Sequence, residues 1–250
     1  MCSPATVSRN SIINLTEYTI EWTDLYAHFV KNSPAKDRKE LQESQESLQR
    51  IVEFMKTAST VVPLNSNQLT RSFLRLLEAQ LREGTTLVKS LAYAAIWSFG
   101  GSLTSEAKIN FDSFFRNLPL GKRADFPSSE YVFNLALTRH MGSDRWTSWE
   151  DLPNLESNQL VKSSEIAGQL HLMSLYAANS IPFILAGPTA IGKTSSAQAL
   201  LSRLSSSMQT SQLSIKKDTS RADIRNIINN ARSEGQKGLV FLDNFNLLQK

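Results

Sequence analysis

Ile181-Pro182-Phe183-Ile184-Leu185-Ala186-Gly187-Pro188-Thr189-Ala190-Ile191-Gly192-Lys193-Thr194 is a short apolar run that passes without a break into the pattern G-x-x-x-x-G-K-[ST]. Six apolar residues bounded by turn formers suit a buried parallel strand. With ordinary Gly, Lys and Ser/Thr usage the pattern turns up by chance in roughly one chain in a hundred of this length. Its setting, after a strand and before a helix, is the one in which backbone N–H groups and a helix N-terminus converge on phosphate oxygens. Gly187 and Gly192 let the backbone approach closely, Lys193 reaches the β- and γ-phosphates, and the Thr194 hydroxyl ligates Mg²⁺. Pro188, Thr189, Ala190 and Ile191 complete the candidate nucleotide-binding loop.

Downstream of the loop, Ala197, Leu200, Leu201 and Leu204 have helix spacing, and Gln212 to Lys216 alternates like a strand. Ser220 and Asp223 form a capping-box signature before Ile224, Ile227, Ile228 and Ala231. Gly235 and Gly238 bracket the turn into an apolar strand, Leu239-Val240-Phe241-Leu242, which ends at Asp243. The order strand, helix, strand, helix, strand predicts an α/β fold with a parallel sheet and right-handed crossovers, the P-loop NTPase class. Asp243, at a strand end about fifty residues beyond the loop, is the candidate to hold Mg²⁺ through water. Asn244 follows it; an amide cannot accept a proton, so binding is better supported than hydrolysis.

Upstream the chain reads as helices. Lys36 to Thr57 places Leu41, Leu48, Ile51, Val52 and Met55 on one face, and Asn67 to Glu83 does the same with Leu69, Phe73, Leu76, Leu77 and Leu81. Thr86 to Trp97 follows, stopped by Gly100-Gly101, and Thr104 to Asn117 presents Phe111, Phe114 and Phe115. A polar stretch with Pro119, Gly121 and Pro127 breaks the periodicity, and Tyr131 to Leu137 is expected as a short strand or hairpin arm. Trp146 and Trp149 are expected to anchor this connection to a neighbouring surface, and His140 lacks the partners of a metal site. Ser164 to Ala178 is again helical. The expected divisions are 1–118, mainly helical; 119–160, a connecting segment with tryptophans; and 161–250, the N-terminal part of a P-loop domain.

Twenty-seven Lys and Arg against 23 Asp and Glu leave +4, spread along 250 residues with no basic block, which gives no indication of a nucleic-acid surface. The single cysteine, Cys2, excludes a disulfide within the chain. No apolar run approaches the roughly 20 residues that cross a bilayer, and no signal-peptide core opens the chain. A chain in the cytosol, or bound to something there, without nucleic acid or membrane partners is the expectation.

Several spaced motifs resemble the dynein heavy chain family at the junction of its second and third AAA+ modules. Ala95-Ile96-Trp97-Ser98-Phe99-Gly100-Gly101-Ser102-Leu103 with Asn110-Phe111-Asp112-Ser113-Phe114-Phe115-Arg116 is similar to its WS-x-G-G segment and K-F-D-x-F-x-R helix. Tyr131-Val132-Phe133-Asn134 with Trp146-Thr147-Ser148-Trp149 resembles the Y-x-F-D and W-x-x-W stretch before the third module. The loop resembles G-P-T-G-T-G-K-S, and Phe241-Leu242-Asp243-Asn244-Phe245-Asn246 resembles F-I-D-D-L-N. Ala190 and Ile191 depart from the family's Gly and Thr, and Asn244 stands where the family has an acid. The resemblance implies an ATP or ADP site with Mg²⁺, regulatory or structural, in a microtubule-based motor. It implies the remainder of the motor ring and dynein complex subunits as partners, microtubules only through the parent motor, and a place in the cytoplasm and cytoskeleton, with a lean toward the cilium axoneme. Sensor, arginine finger, C-terminal lid and stalk are expected outside these residues, so this chain alone is not expected to walk. The loop by itself also fits an independent small P-loop NTPase or kinase, and a degenerate interaction segment remains the third reading.

Overall fold

A computed structural model describes residues 20–152, 163–231 and 237–247. Cys2 and Gly235 lie outside them. Among the described residues, helices and strands are not evenly mixed: α1 (Trp22–Asn32), α2 (Ala35–Thr57), α3 (Ser66–Arg82), α4 (Leu87–Phe99), α5 (Ser105–Asn117) and α6 (Pro119–Arg123) precede every strand. The hairpin β1 (Leu135–His140) and β2 (Ser143–Ser148) follows, and then α7 (Ser164–Ala178), α8 (Lys193–Leu204), β3 (Gln209–Ser214), α9 (Arg221–Asn230) and β4 (Gly238–Asp243). The chain divides into two compact units, whose boundaries fall after Leu77, Tyr93 and Ala124.

The first unit, 20–77 with 94–124, is helical apart from an isolated antiparallel bridge between Thr60 and Leu103. Its core is Leu41, Leu48, Ile51, Phe73, Leu76, Phe111 and Phe115, from stripes that the 3.6-residue spacing marks as apolar, joined by Tyr26 and Phe99, which it does not mark. Tyr26 is fully buried, and its hydroxyl is satisfied by donating to the Leu41 carbonyl at 2.7 Å. Burial, assisted by the Glu40 charge, raises its pKa, so the phenol stays neutral. Phe54 stacks on Phe114 with centroids 4.7 Å apart, and Phe111 stacks on Phe115 at 5.6 Å. Arg123 reaches back from α6 to Glu40 and Glu43 on α2.

The second unit, 78–93 with 125–247, carries both sheets. β1 and β2 pair antiparallel from Leu135↔Ser148 to His140↔Ser143. Met141 (φ 48°) and Gly142 (φ 81°) make the two-residue turn, both in the left-handed region that matches strand twist. Leu135, Ala136, Leu137 and Trp146 are its buried residues. The turn carries Asp144 to the start of α4, where its carboxylate accepts from the Thr86 N–H and its carbonyl accepts from Lys89 Nζ at 3.2 Å. A residue 58 positions away thus caps that helix.

β3 and β4 pair in parallel, from Gln209↔Gly238 to Ser214↔Asp243, with α9 between them in sequence. Ser220 caps α9 as its sequence implies: its hydroxyl accepts from Asp223 N, and the Asp223 carboxylate accepts from Ser220 N. An α/β parallel-sheet region of the P-loop class, incomplete and preceded by helices, is therefore what the chain forms.

Two expectations are corrected in detail, and one helix is added. Ile181 to Ala186 is not a buried ladder strand: it is unpaired among the described residues, its exposure alternates, and Ile184 is 88% exposed while Phe183 and Leu185 face inward. A continuous apolar run cannot by itself distinguish two buried faces from one. The connecting region contains a full second hairpin arm, β2, whose polar sequence Ser143–Ser148 hid it. The helix α1, which stripe periodicity alone does not announce, starts from a capping box between Glu21 and Asp24.

Candidate functional site

The loop is held between two packed pieces. On one side, Phe183 and Leu185 rest on the cluster of Leu170 and Met173 from α7 and Ala199 and Leu200 from α8; Ile166, Leu204 and Leu239 surround it. On the other side, α8 begins at Lys193, with Gly192 as its N-cap at φ 86° and ψ 15°. That left-handed conformation is one glycine adopts without strain. The loop's stem and its helix therefore share one apolar anchor, and residues 187–191 stand exposed above it.

Gly187 lies under a side chain of the loop itself: a Cβ there would lie 2.5 Å from Ile191 Cδ1, the movable tip of that side chain. Ile191 folds across the loop onto it while remaining 58% exposed. The Lys193 ammonium spans the hollow, donating to the carbonyls of Gly187 at 3.0 Å and Pro188 at 2.6 Å. The N–H groups of the first turn of α8 have no i−4 carbonyl inside the helix, and the helix dipole adds to their partial positive charge. The loop thus sets one ammonium beside a helix N-terminus, both favourable to an anion.

Thr194, second in α8, donates its hydroxyl to Asp243 Oδ2 at 3.1 Å. Asp243 closes β4; its other oxygen accepts from Asn244 N at 2.9 Å and its carbonyl accepts from Ile215 N at 3.0 Å. The sequence pairing of a loop hydroxyl with a strand-end acid is therefore a direct contact. A hard cation taking oxygen ligands fits this donor set, a hydroxyl and a carboxylate at the mouth of the loop. No group of three His, Cys, Asp or Glu suited to a metal of its own occurs among the described residues.

Asn244 takes φ 57°, a left-handed conformation that asparagine tolerates better than most residues. Its Nδ2 donates to Ser214 Oγ at 3.4 Å, a long bond toward the end of β3. Sequence reading singled out Asn244 but not Ser214, because the parallel register that places Ser214 opposite Asp243 is a tertiary fact.

A second constellation in this unit was not legible in the sequence. Trp149 is buried, donates its indole N–H to the Phe133 carbonyl at 2.7 Å, and has His171 at 5.3 Å between centroids. Tyr93 approaches the same imidazole edge-on at 6.4 Å. Burial, with the positive Arg203 adding to it, pushes His171 down to about 4, which keeps the ring neutral near pH 7. Trp149 therefore does anchor the connection to a neighbouring surface, and that surface is α7.

Two family models match the chain: a dynein heavy chain AAA lid domain over residues 39–151 and a P-loop containing dynein motor region over residues 153–250. Among curated relatives, dynein axonemal heavy chain 3 of Mus musculus is 23% identical over 309 aligned positions, covering 99% of this chain and 8% of the relative. Dynein axonemal heavy chain 2 of Homo sapiens is 25% identical, covering 100% of the chain and 6% of the relative. Dynein axonemal heavy chain 6 of Homo sapiens is also 25% identical, covering 99% and 7%. The chain spans less than a tenth of the length of these relatives.

Proposed function

Because the chain belongs to the dynein heavy chain family and carries part of its AAA+ motor region, we propose that Gly187 to Thr194 form a nucleotide site of the motor. The site takes ATP or ADP with Mg²⁺ and serves a regulatory or structural purpose. The observation that carries this reading is the 3.1 Å contact between Thr194 and Asp243, which joins the loop to the strand-end acid. Bound Mg²⁺ would neutralise phosphate charge; Thr194 would ligate it, and Asp243 would hold it through water. The chain's own part is to bind: Lys193 lies over the loop for the terminal phosphates, and the backbone of residues 187–192 surrounds the rest. Asn244, an amide turned toward Ser214, offers no base to an attacking water, which favours holding nucleotide over splitting it.

The division we propose keeps 1–118 as the end of one AAA+ module, 119–160 as the connection, and 161–250 as the opening of the next. The partners that follow are the remainder of a dynein motor ring and the other subunits of its complex, with microtubules engaged only through the parent motor. The relatives named above are axonemal, which supports a place on the cytoskeleton in the axoneme of a cilium.

Thermal unfolding with Mg-ADP or Mg-ATP tests the reading. At a hundred times its Kd a ligand stabilises the native state by about 2.7 kcal/mol, and Lys193→Ala is expected to lose most of that shift. Equal shifts in the two proteins would sink the assignment of the loop. Steady phosphate release that vanishes in Lys193→Ala would instead overturn the non-hydrolytic part.

A further inference from the structure

α7 has two buried faces. At 3.6 residues per turn, Ile166, Leu170 and Met173 share one side of the helix, and Gly168, His171 and Leu175 lie roughly opposite. The first side forms the cluster that holds Ala199 and Leu200 of α8 and the Phe183–Leu185 stem of the loop. The second side meets Trp149. A Cβ at Gly168 would sit 3.2 to 3.4 Å from three atoms of the indole, Cε2, Nε1 and Cζ2. That spacing is tight against a ring already fixed by its bond to the Phe133 carbonyl. His171, one turn on, packs against the same indole.

The end of α7 leads directly into the loop's stem. Ile181 N donates to the Tyr176 carbonyl at 2.9 Å, the Tyr176 and Phe183 rings lie 6.0 Å apart, and Lys237 Nζ donates to the Ala178 carbonyl at 2.7 Å. A displacement of α7 therefore moves both ends of the loop: its stem through Ile181 to Leu185, and Lys193 and Thr194 through α8. Packed interiors transmit such shifts because they have no slack to absorb them.

We infer that Trp149 is a positioning residue for the nucleotide loop: through the notch at Gly168 it seats α7, and α7 sets the geometry between the loop's stem and α8. This rests on the nucleotide-binding reading above. Trp149 lies in the stretch matched by the lid model and α7 in the stretch matched by the P-loop model, so a residue of one region tunes the site of the other. The indole acts on nucleotide through α7 and not by direct contact with phosphate.

The test is a double-mutant cycle read by calorimetric titration of Mg-ADP into the 250-residue chain, with circular dichroism and ligand-free unfolding to establish folding. Gly168→Ala should weaken Mg-ADP by about fivefold, within the range found for residues in contact. Trp149→Phe, which removes both the crowding atoms and the indole N–H, should weaken it by about twofold, and in that background the same alanine should cost nothing. A coupling of this kind is what a loss of general stability would not produce. Phe115→Leu, a core change in the helical unit, should leave the affinity unaltered. Wild-type affinity in Gly168→Ala overturns the inference, as does an alanine effect that persists in the phenylalanine background. If Gly168→Ala does not fold, Trp149→Phe alone decides, and unchanged affinity there overturns it. A folded wild type that binds no Mg-ADP refutes the nucleotide reading and this inference together, and is recognised because no variant differs from it.

Discussion

Ala190 sits in the loop with φ 64°, a conformation that costs an L-residue with a Cβ roughly 1 kcal/mol and glycine almost nothing. Ala190→Gly should therefore stabilise the native loop by a few tenths to about 1 kcal/mol, the unfolded chain's extra freedom offsetting part of the gain. Chemical denaturation of the two proteins measures it, and a loss of stability would show that the alanine methyl makes a contact worth more than the strain. Ile191 is the other departure from the family pattern, and its side chain lies over the space that a Cβ at Gly187 would fill. These residue-scale features were half legible. The sequence displayed both glycines, the lysine, the threonine and Asp243; the turn of Asn244 to Ser214 and the hold of Lys193 on two carbonyls depend on coordinates that no spacing encodes.

Among the elements, helices were read most closely from the sequence: Ser164–Ala178 to the residue, and α2 through α5 within one or two positions at most ends. An amphipathic stripe repeats several times in each, so one misread position changes little. The strands were harder. β2 is too polar to declare itself, and Ile181 to Ala186 has strand composition without a strand partner among the described residues. The lack of a strand ladder along it among the described residues and the 88% exposed Ile184 give an apolar edge of the sort that pairs with another chain. Ile184→Lys should reduce self-association of the 250-residue chain, seen as a lower apparent mass in light scattering at raised concentration, with no loss of Mg-ADP binding. The caps make a second prediction. Asp144→Ala removes the tertiary cap of α4 and should cost about 1 to 2 kcal/mol, while Asp144→Asn, which keeps an acceptor oxygen, should cost less; equal losses would mean that charge rather than the hydrogen bond matters at Thr86.

Across the whole chain, His171 gives stability a pH dependence of definite sign. Its folded pKa, about 4, lies below the ordinary value of 6.5, so between those limits the unfolded state binds a proton that the native state refuses. Stability from this group is complete above pH 6.5 and is lost as pH falls toward 4. Between pH 7 and pH 5 the loss should be about 1 to 2 kcal/mol, and His171→Gln should flatten that part of the profile in urea titrations; an unchanged slope would assign the acid sensitivity elsewhere. The two units bear on how the chain is made. Each is discontinuous: the first takes 94–124 after an excursion, and the second begins with 78–93 and resumes at 125. During synthesis the first unit is complete once residue 124 has been added, but Tyr93 must wait for His171, and Leu91 and Ala92 wait with it for the rest of their unit. From residue 124 to residue 171, at about 5 to 20 residues per second, that interval is of the order of 2 to 9 s. For that long the ribosome carries a finished helical unit from which a short, sticky and unfinished turn of chain still hangs.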